Sequence, residues 1–228
     1  MDWPEILLID KPTGITSFDV IRRLRKIYTT ETKKKAPKLG HAGTLDPAAS
    51  GLMIIGVGRG TKKLTEFIKL DKEYVAEVLI GRSTTTGDID GKVMEEKKVE
   101  EISRSEISAI VQSLVGTQIL KVSAYSAIKK DGVPMYKRAY AAAQMGEVLT
   151  EVPIREMIVY VAELLDHQSS DGLTVATLRF FVSSGTYIRS LAEELGKRLG
   201  YPASLKSLRR TKIGDFHISK AKILPNKI

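Results

Sequence analysis

One carboxylate stands out by its surroundings. Gly40-His41-Ala42-Gly43-Thr44-Leu45-Asp46-Pro47-Ala48-Ala49-Ser50-Gly51 sets Asp46 among glycines, hydroxyls and a proline. That composition suits neither a helix interior nor a strand interior, so the spacing predicts a loop. A carboxylate on such a loop can face a cleft while flanking elements hold it still. An Asx-type turn, with Asp46 bonded to nearby backbone N–H groups, is the plainer use of the same residues. Three further segments carry chemistry. Lys72-Glu73-Tyr74 puts an aromatic at a strand start. Ser183-Ser184-Gly185-Thr186-Tyr187-Ile188-Arg189-Ser190-Leu191 puts an arginine in the first turn of a helix. Leu205-Lys206-Ser207-Leu208-Arg209-Arg210-Thr211 sets a leucine beside two arginines.

Composition narrows what these residues can serve. The chain has 228 residues, 43% hydrophobic and 28% charged, ordinary values for a globular protein with a full core. It has no cysteine, which excludes disulfides, thiolate zinc sites and a cysteine nucleophile. The three histidines, His41, His167 and His217, are far apart, and no metal site is expected. No apolar run reaches membrane-spanning length, and the N-terminus lacks the basic and apolar start of a signal peptide. A cytoplasmic location is expected. The net charge of +9 favours a polyanionic partner, with nucleic acid first.

The elements that must position these residues can be read in outline. Ile6-Leu7-Leu8-Ile9 reads as a buried strand. Thr16 or Ser17 caps a helix carrying Val20, Leu24 and Ile27 at helical spacing, with Asp19 in its first turn. Thr29 to Lys38, with Lys33, Lys34, Lys35 and Lys38, reads as a solvated basic loop. Leu52 to Ile55 leads into Gly56-Val57-Gly58-Arg59-Gly60, which fits no phosphate-binding spacing and predicts a tight turn before a helix capped by Thr61. Lys72 to Arg82 reads as a strand, and Asp88-Ile89-Asp90-Gly91 as a turn. Ser103-Arg104-Ser105-Glu106 is a capping box for a helix closed by Gly116. Residues 117 to 146 mix strand, loop and an Ala-rich helix. Arg155 to Asp166 and Leu173 to Val182 predict paired strands joined near Asp171-Gly172. An amphipathic helix follows, with Ile188, Leu191, Leu195 and Leu199 inward and Gly200 at its end. Ser207 to Lys222 is a basic tail. The order lacks the regular alternation of a doubly wound fold. It predicts one α+β domain over residues 1–228, on a mixed or antiparallel sheet with flanking helices. There is room for a small inserted subdomain at about 83–150.

Taken together, these segments resemble the TruB family of tRNA pseudouridine synthases. G-H-A-G-T-L-D-P-x-A-S-G-L matches that family's signature around its catalytic aspartate. D-K-P-x-G-x-T-S at Asp10 to Ser17, K-x-Y, Y-S-A-I-K at Tyr125 to Lys129, G-T-Y-I-R-S-L and L-x-x-L-R-R occur in the family's order. The resemblance runs from about residue 6 to 216. It implies isomerisation of uridine-55 in the T-loop of tRNA, with no cofactor. Breaking the N-glycosidic bond develops positive charge on the sugar. A carboxylate can stabilise that charge, attack it, or remove a nearby proton, and all three routes stay open for Asp46.

The resemblance also assigns roles. Arg189 keeps the catalytic carboxylate ionised against the cost of burial. Tyr74 stacks on a base that must be flipped out of the loop, and can accept the C5 proton. Leu208 lines the other side of the base, with ordinary core packing an equal use for it. His41 fills the space that the flipped base leaves. Lys11 supports the pocket or contacts phosphate. Arg209, Arg210 and Lys33 to Lys35 are candidate phosphate contacts. The expected partner is the T-arm of tRNA, with no obligate protein partner and a monomeric state. The chain departs from the pattern at Ser123-Ala124, where relatives commonly have prolines, and at Tyr140, where arginine is usual. It ends where many bacterial relatives continue into a small RNA-binding domain. Two other readings use the same residues. A non-catalytic RNA binder would not need the carboxylate and arginine. A base-releasing glycosidase would need a second carboxylate, and none is evident beside Asp46.

Overall fold

The computed structural model describes residues 3–126, 128–147, 149 and 151–224. Ala127 of the Tyr125–Lys129 motif lies outside them, as do Met1 and Asp2. The chain runs β1 (Ile6–Lys11), α1 (Ser17–Thr32), β2 (Leu39–His41), β3 (Ser50–Val57), α2 (Leu64–Ile68) and β4 (Lys72–Ile80). It continues through β5 (Arg82–Thr84), β6 (Val93–Glu96), α3 (Arg104–Gln112), β7 (Gly116–Lys121), β8 (Lys129–Lys130), β9 (Val133–Pro134) and α4 (Met135–Gln144). The last part holds β10 (Ile154–Ser170), β11 (Leu173–Val182), α5 (Ile188–Leu199), β12 (Ala203–Ile213), β13 (Phe216–His217) and β14 (Lys222–Ile223). Two compact units result, one of residues 1–75 with 208–228 and one of residues 76–207. The strands β4 and β12 each contribute residues to both.

In the first unit the strand order is β14-β1-β3-β12-β4, with β2 on β3 and β13 on β12. β1 lies parallel to β14 and antiparallel to β3, and β3 lies parallel to β12, so the sheet is mixed as expected. β3 is the strand for which burial on both faces is most complete: Leu52, Met53, Ile54 and Ile55 are all fully buried. Such a strand reads as an unbroken apolar run rather than an alternating one. Leu52 and Ile54 pack with Ala42, Leu64 and Ile213. Helix α1 opens on Thr16, one of the two caps expected, and the structure adds a capping box: Thr16 accepts from the Asp19 amide, and the Asp19 carboxylate accepts from the Thr16 amide.

In the second unit the order is β12-β4-β11-β10-β7, with β10 antiparallel to both β11 and β7. The β10–β11 hairpin turns at Asp171 and Gly172, both at positive φ (55° and 74°), the geometry that an Asp-Gly pair adopts most readily. α5 carries Ile188, Leu191 and Leu195 inward and stops at Gly200 in the left-handed region (φ 79°).

Three local expectations are corrected, and the tail gains a structure. α1 does not stop at Tyr28 but runs to Thr32. Trp3 packs edge-on against Tyr28 (5.2 Å between ring centroids), and the Thr32 hydroxyl donates back to the Tyr28 carbonyl (2.8 Å). Thr61 caps no α-helix. It sits inside a 3-10 turn, Gly58–Lys63, with its hydroxyl on the Gly58 carbonyl (2.8 Å). Gly116 does not close α3, which ends at Gln112 with Ser113 as its C-cap; at φ 101° it opens β7 instead. The basic tail begins as a sheet strand, β12, because Leu205, Arg210 and Ile213 are buried along it.

Candidate active site

Asp46 sits on the loop of residues 42–49 that joins β2 to β3, and it is half-buried. What distinguishes this loop is how many groups hold it. The Ser17 hydroxyl, at the start of α1, both accepts from the Leu45 amide (2.8 Å) and donates to the Leu45 carbonyl (2.9 Å). The Leu45 side chain is itself buried. The Ala42 amide donates to the Ile54 carbonyl (2.9 Å). The Gly14 amide donates to the Pro47 carbonyl (2.8 Å), and the Ala49 amide to the carbonyl of Asp46 (3.1 Å). Backbone groups on both sides of Asp46 are therefore satisfied by fixed neighbours, which removes the freedom that a Gly-Pro loop otherwise has.

Two buried cations complete the support. Arg210 is 1% exposed; its Nε donates to the Leu52 carbonyl (2.8 Å) and its Nη2 to the Gly43 carbonyl (3.2 Å). Lys11 is fully buried, and its Nζ donates to the carbonyls of Pro12 (2.9 Å), Ile15 (2.7 Å) and Pro47 (3.3 Å). Burial pushes the Lys11 ammonium down to about 8, partly offset by the nearby Asp46 carboxylate and deepened by Arg210. Lys11 remains mostly charged at neutral pH and adds a positive charge beside Asp46. Lys72, at the start of β4, is a third buried cation. Its ammonium donates to the Ile68 (2.6 Å) and Leu70 (2.5 Å) carbonyls, and burial again lowers it to about 8.

These facts correct one expectation: Arg210 is enclosed and donates to backbone carbonyls, so it is not a surface contact for phosphate. Lys11 takes the first of its two expected uses, supporting the pocket. Both hold the loop that presents Asp46. Gly51 shows how tight this packing is. It adopts φ 113°, and a Cβ there would lie 2.3 Å from the Arg210 carbonyl oxygen, so only glycine fits.

The other expected residues of the first unit take definite places. His41 ends β2, next to the loop. Burial pushes its imidazole below the ordinary value, with Arg210 adding to the effect and the Gly43 backbone opposing it, so it is neutral at pH 7. Its Nδ1 is buried with no hydrogen-bond partner among the described residues. Tyr74 is 8% exposed, on the buried side of β4 with Lys72. Leu208 is half-buried on β12. Arg209, its neighbour, is exposed and pairs with Asp10 (2.6 Å), with a second bond to the Ser50 hydroxyl (3.3 Å).

Arg189 belongs to the second unit. It is 5% exposed in the first turn of α5, where the sequence puts it. Its Nη1 donates to the Thr86 carbonyl (2.9 Å) and the Ser123 hydroxyl (2.9 Å), and its Nη2 to the Tyr125 carbonyl (3.0 Å). The Asp88 carboxylate lies 3.7 Å from Nη1. One turn further along α5, burial pushes the Glu193 carboxyl up, with Arg189 opposing the rise.

Reading the sequence missed Ser17 as a loop anchor, Lys72 as a buried cation, and Asp88 with Ser123 as partners of Arg189. Ser17 had a signal, since a second hydroxyl directly after a capping threonine is not needed for the cap. Asp88 and Ser123 had none, because only the fold brings their segments to α5.

Known proteins resemble this chain along most of its length. The family model for the N-terminal domain of the TruB family pseudouridylate synthases matches residues 25–188. The chain is 39% identical over 216 residues to tRNA pseudouridine synthase B of Corynebacterium efficiens, covering 95% of this chain and 69% of that protein. It is 38% identical to the protein of the same name from Endomicrobium trichonymphae, covering 95% and 87%. Among solved structures it resembles an H/ACA RNP bound to a substrate RNA containing 2′-deoxyuridine, with TM-score 0.67 and 24% identity over 96% of this chain. An archaeal box H/ACA sRNP Nop10-Cbf5 complex gives TM-score 0.64 and 25% identity, also over 96%. The chain spans about half the length of these two solved chains (50% and 51%). By matched domain, by identity and by the loop that carries its single motif aspartate, the chain belongs to the TruB family of pseudouridylate synthases.

Proposed function

We propose that the protein is a tRNA pseudouridine synthase that isomerises uridine-55 of the T-loop. The observation that carries this reading is the Asp46 loop: one carboxylate on a loop whose backbone is held by Ser17, Lys11 and Arg210 from three separate elements. A carboxylate fixed before substrate arrives costs no reorganisation when charge develops on the sugar. The names of the curated relatives and the net charge of +9 support a tRNA substrate.

In this reading the target uridine leaves its stack at a cost of a few kcal/mol, recovered in part by stacking on Tyr74, worth roughly 1–3 kcal/mol. Asp46 acts on the sugar or the base as the N-glycosidic bond breaks, the uracil turns, and its C5 bonds to the same C1′. Arg189 supplies the positive charge that keeps the catalytic carboxylate ionised. Neutral His41 fills space in the RNA, and Leu208 lines the base pocket. Arg209 contacts phosphate at the surface, exchanging its Asp10 partner for an RNA oxygen. Atoms balance without any co-reactant, because the product is an isomer of the substrate.

The test is an unmodified tRNA transcript incubated with the protein and mapped for pseudouridine by chemical labelling at single-nucleotide resolution. Pseudouridine at the T-loop position is expected. Tight binding with no modification would move a non-catalytic RNA-binding role to the front, and release of free uracil would indicate a glycosidase.

A further inference from the structure

We infer that the Ser123 hydroxyl is a positioning group for Arg189, and that the turnover rate depends on it. The inference rests on the reading of Arg189 given above. Among the acceptors that meet the Arg189 guanidinium in the second unit, the Thr86 and Tyr125 carbonyls are backbone. Ser123 is the side-chain hydroxyl among them. Its Oγ accepts from Arg189 Nη1 (2.9 Å) and from the Tyr125 amide (3.2 Å), and donates to the Thr86 carbonyl (3.2 Å). One donor and two lone pairs are all that a hydroxyl has, so every site on this oxygen is used. Its rotation is consequently fixed.

The result is a closed triangle. Arg189 Nη1 donates to the Thr86 carbonyl and to Ser123 Oγ, and Ser123 Oγ donates to the same Thr86 carbonyl. The turn that carries Thr86 is held in its own right. The Asp88 carboxylate accepts from the Thr86 hydroxyl (2.5 Å) and the Asp90 amide (3.2 Å), and the Ile89 amide donates to the Leu205 carbonyl (3.1 Å). Ser123 thus joins the segment of residues 122–126 to this turn and to the planar guanidinium at one point. A planar fork held on both Nη atoms cannot rotate about its Nε–Cζ bond without breaking hydrogen bonds to a charged group, which are among the stronger ones. Alanine at 123 would leave Tyr125 N–H without this acceptor and release one side of Nη1. The arginine would stay charged and buried, but with freedom of orientation. A loss of orientation acts on the rate of the bound complex and leaves affinity for tRNA alone.

Five proteins decide it: wild type, Ser123→Ala, Ser123→Thr, Arg189→Lys, and Ser123→Ala combined with Arg189→Lys. Single-turnover rates on saturating tRNA transcript and dissociation constants are measured for each. Ser123→Ala is expected to slow turnover roughly ten- to a hundredfold with an unchanged dissociation constant. Ser123→Thr, which keeps the hydroxyl, restores the rate. In the Arg189→Lys background Ser123→Ala costs nothing further, because a lysine has no fork to hold. A readout without activity runs in parallel: 15N NMR of the arginine side chains, with the Arg189 signals assigned by their loss in Arg189→Lys. Slow rotation gives two resolved Nη signals in wild type and Ser123→Thr, merging in Ser123→Ala. Resolved signals and an unchanged rate in Ser123→Ala would overturn the inference. So would a loss of tRNA affinity with the bound-state rate intact. A wild-type protein that makes no pseudouridine defeats the functional reading instead, and the NMR comparison still reports on Ser123.

Discussion

At the scale of single residues, the site is built by buried cations that serve the backbone. Arg210 looks like a phosphate ligand in the sequence, and Lys11 like either a phosphate ligand or a support for the pocket. The fold turns both inward, where they donate to carbonyls at and beside the Asp46 loop. Charged donors on such carbonyls are worth more than neutral ones, and losing them leaves buried acceptors unsatisfied at about 1–3 kcal/mol each. Replacing Arg210 by methionine, which keeps much of the volume, strips the Leu52 and Gly43 carbonyls of their bonds. We expect the free energy of unfolding to fall by about 2–4 kcal/mol. Urea denaturation of the two proteins measures it, and an unchanged midpoint would mean that Arg210 is a bystander.

At the scale of elements, the question is how a Gly-Pro loop becomes rigid. The start of α1 answers it. The capping box uses Thr16 and Asp19, which leaves the next hydroxyl, Ser17, free of capping duty and aimed at Leu45. One side chain thereby ties the first turn of a helix to the residue before Asp46. Ser17→Ala should leave the capping box and the helical circular dichroism intact. It should lower stability by about 1–3 kcal/mol and slow turnover through a looser loop. Wild-type turnover in that variant would show that the loop is held without it. Much of this scale was legible from sequence: the helix caps, the Asp171-Gly172 hairpin and the Gly200 stop are local signals, and local signals need only a few neighbouring residues. The placement of Asp88 and Ser123 around Arg189 was not legible. Those contacts join segments far apart in the chain, and no spacing rule encodes them. The end of α1 was misread for a related reason, since the Trp3–Tyr28 packing that sustains its last turns is also long-range.

At the scale of the molecule, the excess of positive charge has two components that behave differently. The exposed part, with Arg209 on the surface, is available to RNA, and its contribution should weaken steeply with salt. The buried part is a permanent cost. Lys11 and Lys72 titrate near 8 in the folded protein against an ordinary 10.5. Between those values the unfolded chain holds protons that the folded chain has released, so stability rises as pH rises from about 8 to about 10.5. Below 8 both states are protonated and this contribution is flat. Lys72→Met removes one of the two groups. The difference in unfolding midpoint between wild type and Lys72→Met should therefore change across pH 8 to 10 and stay constant from pH 6 to 7.5. Parallel curves over the whole range would mean that Lys72 keeps its ordinary pKa.

In the proposed reaction Asp46 alone acts as the carboxylate of the isomerisation. Asp46→Asn changes one atom and keeps the shape of the loop, which makes it the most direct test. Pseudouridine formation at the T-loop position should disappear in this variant, below detection in single turnover, while the dissociation constant for the tRNA transcript stays near that of wild type. An Asp46→Asn protein that still converts the uridine at a rate close to wild type would contradict the account.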